Sequence, residues 1–175
     1  MNFKIKETKQ YDGIIVDVYN TSFETKSGPF KAEVLKHPGG STIAATHDNV
    51  HFYMVDQYRF GANKMMTEFP AGKRDHQEDF IDVAQRELQE EIGYQANTIV
   101  PLGYIETSPA FLDETLYLYY ATDLEFVGQN LDEGEEVRVH QMTLDEIDAA
   151  IVNNEITDAK TIALAMRLRH YVSNL

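Results

Sequence analysis

Three glutamates in one short stretch, Glu87, Glu90 and Glu91, have the residue type and the spacing to do chemistry. They lie in the segment Gly72-Lys-Arg-Asp-His-Gln-Glu78-Asp-Phe-Ile-Asp-Val-Ala-Gln-Arg86-Glu87-Leu-Gln-Glu90-Glu91-Ile-Gly93-Tyr94. On a helix, side chains three or four positions apart are neighbours, so Glu87 stands beside both Glu90 and Glu91. The apolar residues Phe80, Ala84, Leu88 and Ile92 recur every four positions, with Ile81 beside them, and mark one buried stripe. At about 100° per residue, Glu87 and Glu91 fall either side of Phe80, on the edge of that stripe rather than opposite it. A merely solvated acidic face would point away from the stripe, and like charges at this spacing repel. Carboxylates gathered at the border of a core require a compensating charge. Oxygen donors, without cysteine or a convincing histidine pair, suit Mg²⁺, with Mn²⁺ as the alternative, rather than Zn²⁺. Mg²⁺ typically takes one or two carboxylates, keeps several waters and engages substrate phosphates. Arg86 and Glu90 can pair across one turn of the same helix and hold its face in place.

The elements that must position these residues read as an α+β order. Alternation predicts strands over residues 3–6, 14–18 and 30–35, separated by turns at Asp12-Gly13, Ser27-Gly28 and Pro38-Gly39-Gly40. Residues 42–45 and 51–58 read as further strands joined at Asp48-Asn49, the second rich in apolar and aromatic residues and therefore central. The acidic helix follows within residues 72–93 and ends on Gly93, a natural C-cap. Strands resume at 99–104, 115–122 and 137–142. A helix over 143–153 opens with a capping box, Thr143 followed three positions later by Glu146. A last helix spans about 159–172, after Thr157-Asp158.

Composition narrows the function. The 175 residues fit one domain, and 43% apolar content suffices for a core. With no cysteine, disulfides, thiolate metal sites and thiol nucleophiles are excluded. The 29 acidic and 15 basic side chains leave a net charge of −14, which argues against long nucleic acid as a partner. Charges beyond about 8 Å are screened at physiological salt, so a small anionic ligand remains compatible where the local site favours it. The first thirteen residues lack a signal peptide's apolar centre, and no apolar run can span a bilayer, so a soluble cytoplasmic protein is expected. His47 and His51 flank a predicted turn, and His76 sits at a variable loop position, so none marks a site. Walker A, nucleophile-elbow and His-Glu-x-x-His patterns are absent.

The acidic segment resembles the Nudix box: Gly, five residues, Glu, seven residues, Arg-Glu, an aliphatic residue, any residue, Glu-Glu, any residue, Gly, an aliphatic residue. Gly72, Glu78, Arg86, Glu87, Glu90, Glu91 and Gly93 fill all seven fixed positions, and Leu88 the first aliphatic one. At ~7% per position, chance would give roughly one window in 10⁸. Tyr94 departs from the final aliphatic position, a packing variation. The resemblance implies an α/β/α sandwich around a mixed sheet. It also implies Glu87 and Glu91 as the main metal ligands, Glu90 as an assisting ligand or catalytic group, and the Ala71 carbonyl as a further ligand. Glu78 is expected to order the loop and helix.

Features outside the box look like the ADP-ribose pyrophosphatase branch of that family. Pro109 lies fifteen residues after Tyr94, as that branch's marker proline does. Glu68-Phe69-Pro70-Ala71-Gly72 resembles its approach to the box, Asp56-Gln57-Tyr58-Arg59 its substrate strand, and Ile156-Thr157-Asp158-Ala159-Lys160-Thr161 its tail. Arg59, Glu68 and Pro109 are thereby candidates for substrate binding. A surface ion pair for Arg59, a structural role for Glu68 and loop shaping for Pro109 are the competing readings. The run Asp132-Glu133-Gly134-Glu135-Glu136 would ordinarily be a solvated loop. In this branch such a loop supplies a catalytic base or an added metal ligand, so Glu133 leans towards base and Glu135 towards metal. The resemblance further implies a single domain whose residues 1–37 form a dimerising β extension and 38–175 the catalytic core. The expected reaction is cation-dependent hydrolysis of ADP-ribose to AMP and ribose 5-phosphate. GDP- or UDP-sugars, dinucleoside polyphosphates and a non-catalytic nucleotide-sugar sensor are the alternatives.

Overall fold

The computed structural model describes residues 3–75, 77–131 and 134–175, and it divides the chain into two compact units. The smaller contains the segment up to Gly39 together with Glu106–Thr115. Here β1 (Phe3–Asp12), β2 (Asp17–Thr25) and β3 (Gly28–Lys36) form an antiparallel meander. The hairpin between β2 and β3 turns at Gly28, whose φ of 105° suits glycine. The 106–115 segment is stitched to β3 by Leu35 N–H donating to the Phe111 carbonyl at 2.7 Å and by Asp113 N–H donating to the Leu35 carbonyl at 3.0 Å.

The expected strand over 14–18 is displaced. Ile14 and Ile15 lie outside any strand and are exposed, whereas β2 begins at Asp17 and runs through the polar stretch to Thr25. Its register with two neighbouring strands fixes it, with only Thr21 fully buried, so hydrophobic alternation carried little of the signal.

In the larger unit, Gly40–Ile105 and Leu116–Leu175, β4 (Gly40–Ala45) is buried throughout. It pairs parallel with β9 (Thr115–Phe126) and antiparallel with β7 (Ala71–Lys73), and β8 (Tyr94–Glu106) completes the order β7-β4-β9-β8. A second sheet has the order β10 (Val137–Thr143), β5 (His51–Arg59), β6 (Lys64–Glu68). Successive strand residues point to opposite faces, and the core divides accordingly. Ile43, Ala45, Val55, Tyr119 and Ala121 pack with Ala84, Leu88 and Ile92 of α1 (Phe80–Ile92). Their immediate neighbours Ala44, Met54, Leu118 and Tyr120 pack on the other side, together with Phe52. There they meet Ile147 and Ala150 of α2 (Leu144–Val152) and Leu164, Ala165 and Leu168 of α3 (Ala159–Val172). Strands between two helix layers, with parallel and antiparallel pairs, make the expected α/β/α sandwich.

Helix ends follow local chemistry. α1 stops at Gly93, left-handed at φ 81°, whose N–H donates to the Gln89 carbonyl. α2 opens with the full Thr143–Glu146 capping box, and Asp158 caps α3 by accepting from Thr161 N–H. Ile81 does not join the buried stripe: it is exposed in the first turn, where Phe80 instead stacks on Tyr117. β6 and β7 were not foreseen. They flank Pro70, and three or five residues carry too little alternation to register. Among the described residues, no helix is long and apolar enough to cross a membrane.

Candidate active site

The site is built where α1 lies against β7. Gly72 approaches the helix so closely that a Cβ there would overlap the Glu87 carboxylate, so only glycine leaves room for that side chain. Ala71, one residue earlier, donates its N–H to Glu91 Oε2 at 3.0 Å. The two glutamates therefore sit in the middle of the buried face, 8% and 2% exposed, rather than on its edge as the helical wheel suggested. Backbone of β7 lies against both, at Gly72 and Ala71, and residue hydrophobicity carries no sign of that contact.

Burial pushes the Glu87 carboxyl up to about 7, with Glu90 and Glu135 adding to the rise and Arg86 opposing it. Burial likewise raises Glu91 to about 8, reinforced by the charge of Glu87 and more weakly by Glu135, against the Ala71 N–H and Arg59. Two neighbouring carboxylates raised in this way, first by burial and then by nearby carboxylate charge, mark a place where added positive charge would be stabilising.

Arg86 supplies part of that charge. Its Nη1 donates to Glu87 Oε1 at 2.7 Å and to Glu90 Oε2 at 2.8 Å, the turn-to-turn pairing foreseen from spacing. Its Nη2 donates to the Lys73 carbonyl at 3.0 Å and its Nε to Glu78 Oε1 at 3.3 Å. Glu78 also accepts from Asp75 N–H, and its own carbonyl accepts from Arg74 Nε at 2.7 Å, so it ties the loop before α1 to the helix. Among the described residues, no three acidic or histidine side chains close on a common point. The site comprises a buried pair, Glu87 and Glu91, with Glu90 beside it on Arg86.

Arg59, at the end of β5, is the second cation of the site. Its Nε donates to Glu68 Oε1 at 2.9 Å and its Nη2 to Glu68 Oε2 at 2.6 Å, while its charge is felt by Glu91. Glu68 is only 1% exposed and also takes Lys160 Nζ at 2.5 Å. Lys160 belongs to a stretch noted in the sequence, yet nothing in its spacing announced a role; the link spans 92 positions. On the opposite side of β5, buried Asp56 accepts from Arg138 Nε at 2.8 Å and from Thr67 Oγ1 at 2.6 Å. Arg138 lies three residues after Glu135, so this pair anchors the strand onto which Glu135 leads.

Of the remaining candidates, Glu135 is near enough for its charge to raise both Glu87 and Glu91. Glu133 lies outside the described residues, as does His76. Pro109 belongs to the smaller unit, where it lines a cavity of about 570 Å³ with Phe23, Phe30 and Phe111.

The candidate donors Glu87, Glu90, Glu91 and the Ala71 carbonyl are all oxygen, and burial holds Glu87 and Glu91 above the usual carboxylate range, which fits a hard divalent cation. The sequence profile of the family described as NUDIX domain matches residues 36–164. The chain belongs to this family. It is a Nudix pyrophosphohydrolase by that membership, and the family generally works with divalent metal ions. Among its relatives is an ADP-ribose pyrophosphatase of Bacillus subtilis (strain 168), 34% identical over 160 residues, covering 90% of this chain and 86% of the relative. A methanol dehydrogenase activator of Bacillus methanolicus is 35% identical over 168 residues, covering 94% and 91%. A crystal structure of an ADP compounds hydrolase shares the Nudix fold, with a TM-score of 0.86 at 18% identity over 99% of this chain and 95% of the other.

Proposed function

We propose that this Nudix enzyme hydrolyses the diphosphate bond of a nucleoside-diphosphate sugar, with ADP-ribose as substrate and AMP and ribose 5-phosphate as products. The observation that carries the reading is the buried pair Glu87–Glu91 set beside Arg59, which is itself held by buried Glu68. A buried acidic pair next to a fixed guanidinium suits a diphosphate that arrives with a cation. The ADP-ribose pyrophosphatase relative, covered over most of both chains, gives the choice of nucleotide and sugar.

Glu87, Glu90, Glu91 and the Ala71 carbonyl would hold Mg²⁺, with Mn²⁺ as the alternative, and Glu135 would add a ligand from the acidic loop. The cation supplies charge neutralisation at the diphosphate and lowers the pKa of a coordinated water. Arg59 binds a phosphate oxygen through the guanidinium edge that Glu68 leaves free, and Glu68 acts through Arg59. Arg86 and Glu78 hold the helix and its preceding loop in register, so the carboxylates do not need to reorganise when charge develops. Glu133 takes the proton of the attacking water, and Glu135 stands in the same loop as its alternative.

We further propose a cytoplasmic homodimer, residues 1–37 forming its contact, with Pro109 shaping the substrate loop; light scattering coupled to size exclusion checks the dimer. The decisive experiment is turnover of ADP-ribose with and without Mg²⁺, beside a panel of GDP-sugar, UDP-sugar and dinucleoside polyphosphates. Mg²⁺-dependent release of AMP, fastest from ADP-ribose, is the expected result. Faster release from another member of the panel would reassign the substrate, and cation-independent turnover would remove the mechanism.

A further inference from the structure

We propose that Lys160, at the first turn of α3, is a positioning residue for the diphosphate: it fixes Glu68 so that Arg59 keeps both its orientation and its charge for the substrate. The proposal deepens the function above and rests on Arg59 as the phosphate ligand.

Glu68 is a fully buried carboxylate with two cationic partners, Arg59 on one side and Lys160 Nζ at 2.5 Å on the other. Lys160 is itself only partly exposed, with 12% of its side chain accessible, and its second partner is Asp158 Oδ2 at 2.9 Å. Asp158 is in turn committed to the start of α3, accepting from Thr161 N–H at 2.9 Å and Thr161 Oγ1 at 2.7 Å. The four charged groups form an alternating row, Asp158, Lys160, Glu68, Arg59, with Arg59 as its positive end. The row is neutral overall, as an isolated Arg59–Glu68 pair would be, but it ends on the guanidinium. Lys160 lies against Glu68 and offsets part of that carboxylate's field, so more of the Arg59 field is left for a diphosphate. Among the described residues, Nε and Nη2 of Arg59 are bonded to Glu68 while Nη1 has no partner, which leaves one edge for a phosphate oxygen.

Geometry adds to charge. A carboxylate gripped from two sides cannot rotate freely, so its bidentate partner is confined to one fork orientation. The grip starts in rigid structure at both ends. Phe69 N–H donates to Thr161 Oγ1 at 3.2 Å, and Lys64 Nζ donates to Thr157 Oγ1 at 3.0 Å, joining both ends of β6 to the approach and first turn of α3. A purely structural staple between β6 and α3 is the competing explanation, and the two differ in what they do to ligand affinity.

The test is titration calorimetry of the full chain with ADP in the presence of Mg²⁺, together with Mn²⁺ alone. Lys160→Met is expected to weaken ADP at least tenfold while leaving the affinity for Mn²⁺ unchanged, and Lys160→Arg to restore most of the loss. In an Arg59→Met background, Lys160→Met should weaken ADP no further, because Lys160 acts through Arg59. A folded Lys160→Met protein that binds ADP like wild type overturns the proposal, as does an equal loss in the Arg59→Met background. Should Lys160→Met fail to fold, Lys160→Gln replaces it in both backgrounds; if that also fails to fold, Lys160 is a staple and the proposal falls. Wild-type protein that binds ADP but leaves every nucleoside-diphosphate substrate intact would sink the hydrolase reading without touching this one.

Discussion

A glutamate with its carboxylate raised to about 8 links the site to the stability of the protein. In the unfolded chain Glu91 titrates near the ordinary 4.5, so between these values the folded state binds more protons than the unfolded one. Its stabilising contribution is complete below about 4.5 and is lost as pH rises through about 8. Cation-free protein should therefore lose thermal stability across that window. Glu91→Gln, which keeps an acceptor for the Ala71 N–H, should flatten the loss and melt higher than wild type at pH 8 in chelator. A melting curve at each pH checks this, and an unchanged slope in the variant would show that Glu91 is not the group responsible. The same substitution should lower kcat by two orders of magnitude or more, about what removal of one charge-stabilising group costs an enzyme. Gly72 supplies a second test at this scale. Gly72→Ala places a methyl where the Glu87 carboxylate lies, so divalent-cation affinity should fall roughly 10- to 100-fold, the range seen when the support of a ligand is disturbed. Calorimetry with Mn²⁺ reads it, and wild-type affinity would mean that Glu87 is not a ligand.

Elements can be separated from the chemistry by changing caps that lie outside the site. Thr143 closes the capping box of α2, accepting from Glu146 N–H at 3.2 Å while Glu146 Oε2 accepts from Thr143 N–H at 2.8 Å. Thr143→Ala should cost about 1 kcal/mol in urea unfolding and leave kcat/KM near wild type. A loss of turnover larger than the loss of stability would tie α2 to the site. That cap was legible from residue types alone, as were Gly93 and the limits of α3, because helix ends are decided by local backbone bonding. β2 was not legible, since its partners in β1 and β3 decide it and its own residues are largely polar. The same division holds for the site. Glu87, Glu90, Glu91 and Arg86 could be grouped from helical spacing, which is a local rule. That Glu87 and Glu91 lie under β7, with Ala71 and Glu91 bonded across 20 positions, and that Lys160 of α3 reaches Glu68 across 92 positions, depends on tertiary packing that helical spacing does not encode.

For the whole molecule, a net charge of −14 together with the buried acidic pair Glu87–Glu91 should make the folded state a receptor for cations. A ligand that binds only the folded chain stabilises it by mass action, about 2.7 kcal/mol at one hundred times its dissociation constant. For a chain of this size that corresponds to a rise in Tm of roughly 5–10 °C. The carboxylates must be ionised to bind a cation, so the gain should be larger at pH 8 than at pH 6, as Glu87 and Glu91 lose their protons. This runs opposite to the cation-free protein, which weakens over the same interval, so the two melting curves should diverge as pH rises. A diffuse response of the acidic surface would behave differently, because it would be screened by added salt and would depend little on two buried side chains. The discriminating measurement is a thermal melt with and without Mg²⁺ at both pH values in 150 mM NaCl, a salt level taken from the physiological range of about 0.15 M. Wild type should show the pH-dependent rise, and the Glu87→Gln, Glu91→Gln double variant should show almost none. An equal rise in that variant would place the stabilising cations on the surface and leave the buried pair without a ligand.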